Sequence, residues 1–175
     1  MQTLADHFRM LAHYNQWANR RLYAAAAALP DEDYRADRGA FFGSVHATLN
    51  HLLLGDRIWM HRFSGAGPTY SRLDLLLNER LDALRAAREA EDERIVSWAE
   101  SLDDESLARS FSYRTVGSPP REVTQPLSPA LAHFFNHQTH HRGQVHALLT
   151  AIGGRSAAPE LDLIYFQRET GIGLT

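Results

Sequence analysis

Hydrophobic positions recur at helical spacing along almost the whole chain, and polar or turn-forming clusters interrupt them at four joints. The first periodic stretch predicts a helix from about Thr3 to Leu29, stopped at "LPDED", where Pro30 cannot continue it. A second is predicted from roughly Ala40 to Phe63, ending at "SGAGP". A third, beginning near Ser71, carries Leu73, Leu76, Leu77, Leu81, Leu84, Ile95 and Trp98 between charged residues, the pattern of a long amphipathic rod. "SFSYRTVGSPPREVTQP" alternates and is rich in turn residues, which predicts a small hairpin or irregular crossover. The fourth helix is expected to start with Ser128 as N-cap and Pro129 at the first helical position, and to stop at Gly153-Gly154. "ELDLIYFQRE" suggests a short closing helix. The pattern is that of an all-α, four-helix-bundle protein, expected to be a single domain over residues 1–175, a fold that builds its sites from facing helices.

Composition then removes whole classes of chemistry. The 175 residues include no cysteine and no lysine, so all 18 basic side chains are arginine. Disulfides, thiolate nucleophiles, Schiff bases and a P-loop lysine are thereby excluded. A net charge of −3 offers no concentrated basic stripe for nucleic acid. No apolar run approaches the ~20 residues that span a bilayer, and "MQTLADHFRMLAHYNQ" does not read as a signal peptide, so a cytoplasmic protein off the membrane is expected.

The remaining chemistry is concentrated in histidine. "NHQTHHRGQVHALL", residues 136–149, carries His137, His140, His141 and His146. On a wheel turning ~100° per residue, His141 falls inside the apolar sector of the fourth helix and His137 at its edge, while His133 and His140 point outward. The i, i+4 relation stacks His137 and His141 about 6 Å apart along the axis, so one helix can offer two imidazoles to one ion. Taken alone, the pair reads equally well as core-edge histidines bonded to neighbours. Any third ligand has to come from another helix. In the second helix His46, Asn50, Arg57 and His61 form the polar arc, whereas His51 sits at the margin of the buried sector and is best placed to reach a neighbour. Asp56 points between Val45 and Leu49, and a carboxylate aimed at a core needs a partner: a metal-bound histidine, an arginine or the ion itself. Trp17, Tyr14 and Trp59 read as core aromatics. Gly143, which costs a helix ~1 kcal/mol relative to alanine, predicts a close approach of another backbone. There is neither an HExxH nor a Glu-x-x-His motif, which disfavours a zinc-protease or ferritin-like centre.

"LNHLLLGDRIW" followed at a distance by "FNHQTHHRGQV", with "LAHYNQWANRRLYAAAAALP" before and "LDLIYF" after, resembles the DinB/YfiT-like metalloenzyme superfamily, specifically its DinB branch. The resemblance implies a four-helix bundle with up-down-down-up connectivity, often a homodimer, and a divalent metal held by three histidines. Residue by residue, it implies His51 as first ligand and His137 and His141 as the HxxxH pair, with Asp56 at a commonly acidic position. Zn²⁺ or Ni²⁺ are the first expectations for the metal, with Fe²⁺ or Mn²⁺ also compatible. Related branches are thiol-dependent transferases or isomerases, so a low-molecular-weight thiol is an implied cosubstrate. Asp56 and His140 are the candidate catalytic residues. Three function classes follow: a metal-dependent transferase or hydrolase, a metal-binding protein without turnover, and a structural dimeric bundle.

Overall fold

A computed structural model describes residues 2–174. Its elements in chain order are α1 (Leu4–Ala27), α2 (Asp31–Arg35), α3 (Val45–Ser64), α4 (Leu81–Glu100), α5 (Asp104–Ala108), β1 (Ser110–Arg114), β2 (Glu122–Pro126), α6 (Leu127–Gly153), a 3₁₀ turn at Arg155–Ala157, and α7 (Leu163–Thr170). The architecture is mostly helical with one two-stranded antiparallel sheet, in which Ser112 faces Thr124. Among the described residues no helix is long and apolar enough to cross a membrane.

The directions of the four long helices follow from their cross-contacts. Moving forward along α1, His13 meets Glu100 at 2.8 Å and Asn19 meets Asp92 at 2.9 Å, so α4 runs opposite to α1. α3 and α4 run together, because Asp56 pairs with Arg88 at 2.6 Å, Arg57 with Glu91 at 3.6 Å and Ser64 with Arg94 at 3.1 Å. α6 opposes α3, with Trp59 against His133 and His51 against His141, and it accompanies α1, with Phe8 against Phe135 and Asn15 accepting from Arg142.

Two apolar clusters fill the two halves of this interior, one around Phe8, Met60, Ile95, Leu131 and Phe134, the other around Leu22, Leu49, Leu53, Leu84 and Leu149. Between them lies a polar layer of buried side chains: Asn15, Asn19, Asp56, Arg88, Asp92, Gln138 and Arg142. α7 closes one flank by inserting Phe166 between Tyr14 and Trp17, at 5.9 and 5.8 Å between ring centroids. Tyr14 and Trp59 are buried and Trp17 partly so, in keeping with core aromatics.

The structure corrects several expected boundaries and surroundings. The third helix begins at Leu81, not near Ser71, and residues 65–80 instead run back along α3 as an irregular crossover. Asn50 explains this: its Oδ1 accepts from the amides of Leu77 and Asn78 at 2.7 and 2.9 Å, and its Nδ2 donates to the Asn78 carbonyl at 3.1 Å. His46 joins through Nε2, 3.0 Å from the same carbonyl. His46 and Asn50, expected on the polar arc of the second helix, are therefore buried beneath the crossover. The second helix starts at Val45, capped by Ser44, whose side chain accepts from the Ala47 amide, rather than at Ala40. Ser128 is not an N-cap and Pro129 is not the first helical residue: α6 starts two residues earlier, at Leu127, because β2 leads straight into it, with Pro126 at the cap position. Gly143 approaches nothing; a Cβ there would have no neighbour within 4 Å.

Candidate metal centre

His51 reaches inward from α3, and His137 and His141 reach toward it from α6. Each can offer one ring nitrogen such that the three atoms all lie within 4.8 Å of one another. His51 Nε2 and His137 Nε2 are 3.3 Å apart. Ring centroids are 4.6 Å apart for His51 and His141 and 4.4 Å apart for His137 and His141. The three residues expected from the sequence thus converge in a cluster compatible with a divalent metal.

Local hydrogen bonds orient two of the rings. His51 Nδ1 donates to the Leu73 carbonyl at 3.0 Å, which leaves Nε2 with its lone pair facing His137. His141 Nδ1 donates to Gln144 Oε1 at 2.8 Å, one turn along α6. Such outward partners fix the tautomer that a metal-binding imidazole needs. The crossover therefore contributes to the cluster through a backbone carbonyl, not through a side chain.

The electrostatics keep these rings neutral. Burial, reinforced by the surrounding His141, His51, His133 and His140, lowers the His137 pKa from 6.5 to about 3. Burial also lowers His51 and His141, against the opposing hydrogen bonds to Leu73 and Gln144. A neutral imidazole keeps one ring nitrogen unprotonated, and a cation can take up that electron density without adding N–H groups to the cluster.

Packing around the triad adds residues with no metal-ligating chemistry of their own. A Cβ on Gly55 would lie 3.0 Å from His137 Cε1, so the bare glycine backbone leaves room for that ring. Phe42 stacks on His51 with ring centroids 3.9 Å apart and reaches His141 at 5.4 Å. It is presented by a tight loop between Gly39 and Gly43, both at positive φ (74° and 79°), a backbone state that glycine adopts without penalty. Gly55, Phe42, Leu73 and Gln144 all escaped the sequence reading. The glycine four positions after His51, inside an otherwise apolar helix, was the available signal for the first of them.

Asp56 and His140 occupy different surroundings. Asp56 is fully buried and accepts from Arg88 Nη1 at 2.6 Å; Arg88 Nη2 also lies 3.0 Å from Asp92 Oδ1. Burial pushes the Asp56 carboxyl up to about 7 even with Arg88 pulling the other way. Its carboxylate is not part of the histidine cluster among the described residues. His140 is exposed, and its Nε2 lies 3.3 Å from Gln144 Nε2, which links it through one amide to His141. His133 is also exposed, its ring 5.9 Å from His137 and 5.2 Å from Trp59.

A helical chain with a His cluster contributed by two facing helices defines a class, and sequence comparison names it: the profile of the DinB family matches residues 1–170, so the chain belongs to that family. It is similar to Protein DinB of Bacillus subtilis (strain 168), 28% identical over 181 residues, an alignment covering 95% of this chain and 98% of that protein.

Proposed function

We propose that His51, His137 and His141 hold one divalent cation, and that the protein is a metal-dependent enzyme acting as a thiol-dependent transferase or a hydrolase. The observation that carries this reading is the mutual approach of the three ligand nitrogens to within 4.8 Å from two separate helices. The helix directions described above support the up-down-down-up four-helix bundle as the frame, with the cluster between its second and fourth long helices. Zn²⁺ or Ni²⁺ suit three imidazoles best, and Fe²⁺ or Mn²⁺ are compatible with the same donors.

A bound divalent cation supplies Lewis acidity, which makes a thiol or water a stronger nucleophile at neutral pH. In a chain without cysteine, a thiol has to arrive with the cosubstrate. The protein's own contributions are positional. Leu73 and Gln144 hold His51 and His141 by their Nδ1 atoms. Phe42 covers one side of the cluster and excludes water there. His140, at the exposed end of the Gln144 link, is the candidate to take or give a proton to a substrate. Asp56 acts at one remove, by fixing Arg88 and with it the packing of α3 on α4.

The test is turnover. Metal-loaded protein is assayed with low-molecular-weight thiols and an electrophile, and separately with esters and amides, beside His137→Ala. The expected result is a rate in one of these assays that falls at least about a hundredfold in the variant. Equal rates for the two proteins contradict metal catalysis.

A further inference from the structure

A cavity of about 580 Å³ opens between the crossover and the β1–β2 hairpin, above the C-terminal half of α3. Its wall includes His61, Arg62, Tyr70, Tyr113 and Arg114, and among the described residues that line it there is no Asp or Glu. The size falls within the roughly 300–1,000 Å³ range of small-molecule sites and exceeds what an inorganic ion needs.

Arg62 gives the cavity its character. The guanidinium lies 4.5 Å from the ring centres of both Trp59 and Tyr113, held by the two aromatic faces. Its one hydrogen bond among the described residues is Nη2 donating to the Arg114 carbonyl at 3.2 Å, out of the five N–H groups an arginine carries. No carboxylate among the described residues comes within salt-bridge distance of Arg62 or Arg114, although the nearby Arg57 and Arg94 both pair with Glu91. Burial lowers the Arg62 pKa, which marks a cation partly stripped of water without a protein anion to compensate. The exposed arginines of the chain keep their hydration; Arg62 is half-buried.

We propose that this cavity binds a small organic anion, whose carboxylate or phosphate group is taken by Arg62 with Arg114 beside it. A planar guanidinium offers paired N–H groups to either anion, and its fixation against two rings lowers the ordering cost of binding. The remaining wall, with Tyr70, Tyr113 and Ile58, accommodates an apolar or aromatic body. Two routes connect the cavity to the histidine cluster. The crossover that walls it at Tyr70 and Ser71 continues to Leu73, the partner of His51. On the α6 side, Trp59 touches His133, which touches His137. The cavity and the cluster are thus linked through neighbouring residues, although no cluster histidine lines the cavity, and the binding itself requires no metal.

Isothermal titration of the metal-free full chain tests this independently of the cluster, since no cation is then present to attract the probes. The probes are 2-naphthoate, 2-naphthyl phosphate and the neutral 2-naphthamide. At least one anion is expected to bind about tenfold or more tightly than the amide, and to lose about tenfold in Arg62→Gln and in Arg114→Gln. The better of the two anions identifies the carboxylate or phosphate class. Arg168→Gln, on α7, should bind as wild type. Arg114 is exposed, so its variant remains decisive if loss of the Arg62 stack disturbs folding. Absence of binding by both anions, equal binding of the amide, or wild-type affinity in Arg114→Gln overturns the proposal.

Discussion

His137 can occupy its position because residue 55 has no side chain. Gly55→Ala places a methyl carbon against Cε1 of the ring, at the 3.0 Å measured from an ideal Cβ, while improving helix propensity by ~1 kcal/mol. The expected outcome is a variant at least as resistant to thermal unfolding when metal-free, yet with metal affinity reduced about tenfold or more, read by competition with a chromogenic chelator. Wild-type affinity in that variant contradicts the account of the glycine. His137 also has a signature in pH. Its folded-state pKa is about 3 against 6.5 in the unfolded chain, so between these values the unfolded chain binds a proton that the folded one does not. Stability therefore rises with pH through this window and is lost as pH falls. His51 and His141 act in the same direction. Metal-free His137→Asn should show a shallower gain in unfolding free energy between about pH 5 and 6.5 than wild type, by urea titration. An unchanged slope is the contrary result. At this scale the convergence of the three histidines was legible, because a helical wheel converts sequence position into direction. Phe42 and the Leu73 carbonyl were not, because each acts from a loop whose path no periodicity describes.

Between elements, a few polar side chains decide how α3, α4 and the crossover meet. Arg88 is 2% exposed and ties Asp56 of α3 to Asp92 of α4, with Asn15 and Asn19 of α1 donating to the same Asp92. Arg88→Met removes the only ion-pair partner that Asp56 and Asp92 have among the described residues, leaving Arg142 as the remaining buried cation of the layer, and a loss of about 3–5 kcal/mol in unfolding free energy is expected. A loss below about 1 kcal/mol would mean that the layer relaxes around the gap. Asn50→Ala removes the acceptor of two crossover amides. It should cost about 1–3 kcal/mol and make residues 65–80 the first site of limited proteolysis. Protection equal to wild type would contradict it. The helix elements were largely readable from apolar periodicity, and the hairpin from alternation. The leucines at 73, 75, 76 and 77 imitate an amphipathic helix, however, and only the capture of backbone groups by Asn50, His46 and His51 shows why that stretch is not one. Asp56 illustrates the same limit: the wheel shows a carboxylate facing inward but not which helix supplies its arginine.

For the whole molecule, two apolar halves enclose a polar layer, and the histidine cluster lies between two helices whose order in the chain is separated by α4 and the hairpin. A ligand that binds the folded chain and not the unfolded one raises stability by mass action, so Zn²⁺ or Ni²⁺ at a hundred times its Kd should add about 2.7 kcal/mol. The most direct measurement is metal content, by elemental analysis, of the untagged protein after loading with Zn²⁺ or Ni²⁺ and removal of excess, beside His51→Ala and His137→Ala. About one equivalent in wild type and loss of most of it in each variant is the predicted result. Less than about a tenth of an equivalent in wild type, or undiminished metal in either variant, contradicts a centre built by these histidines.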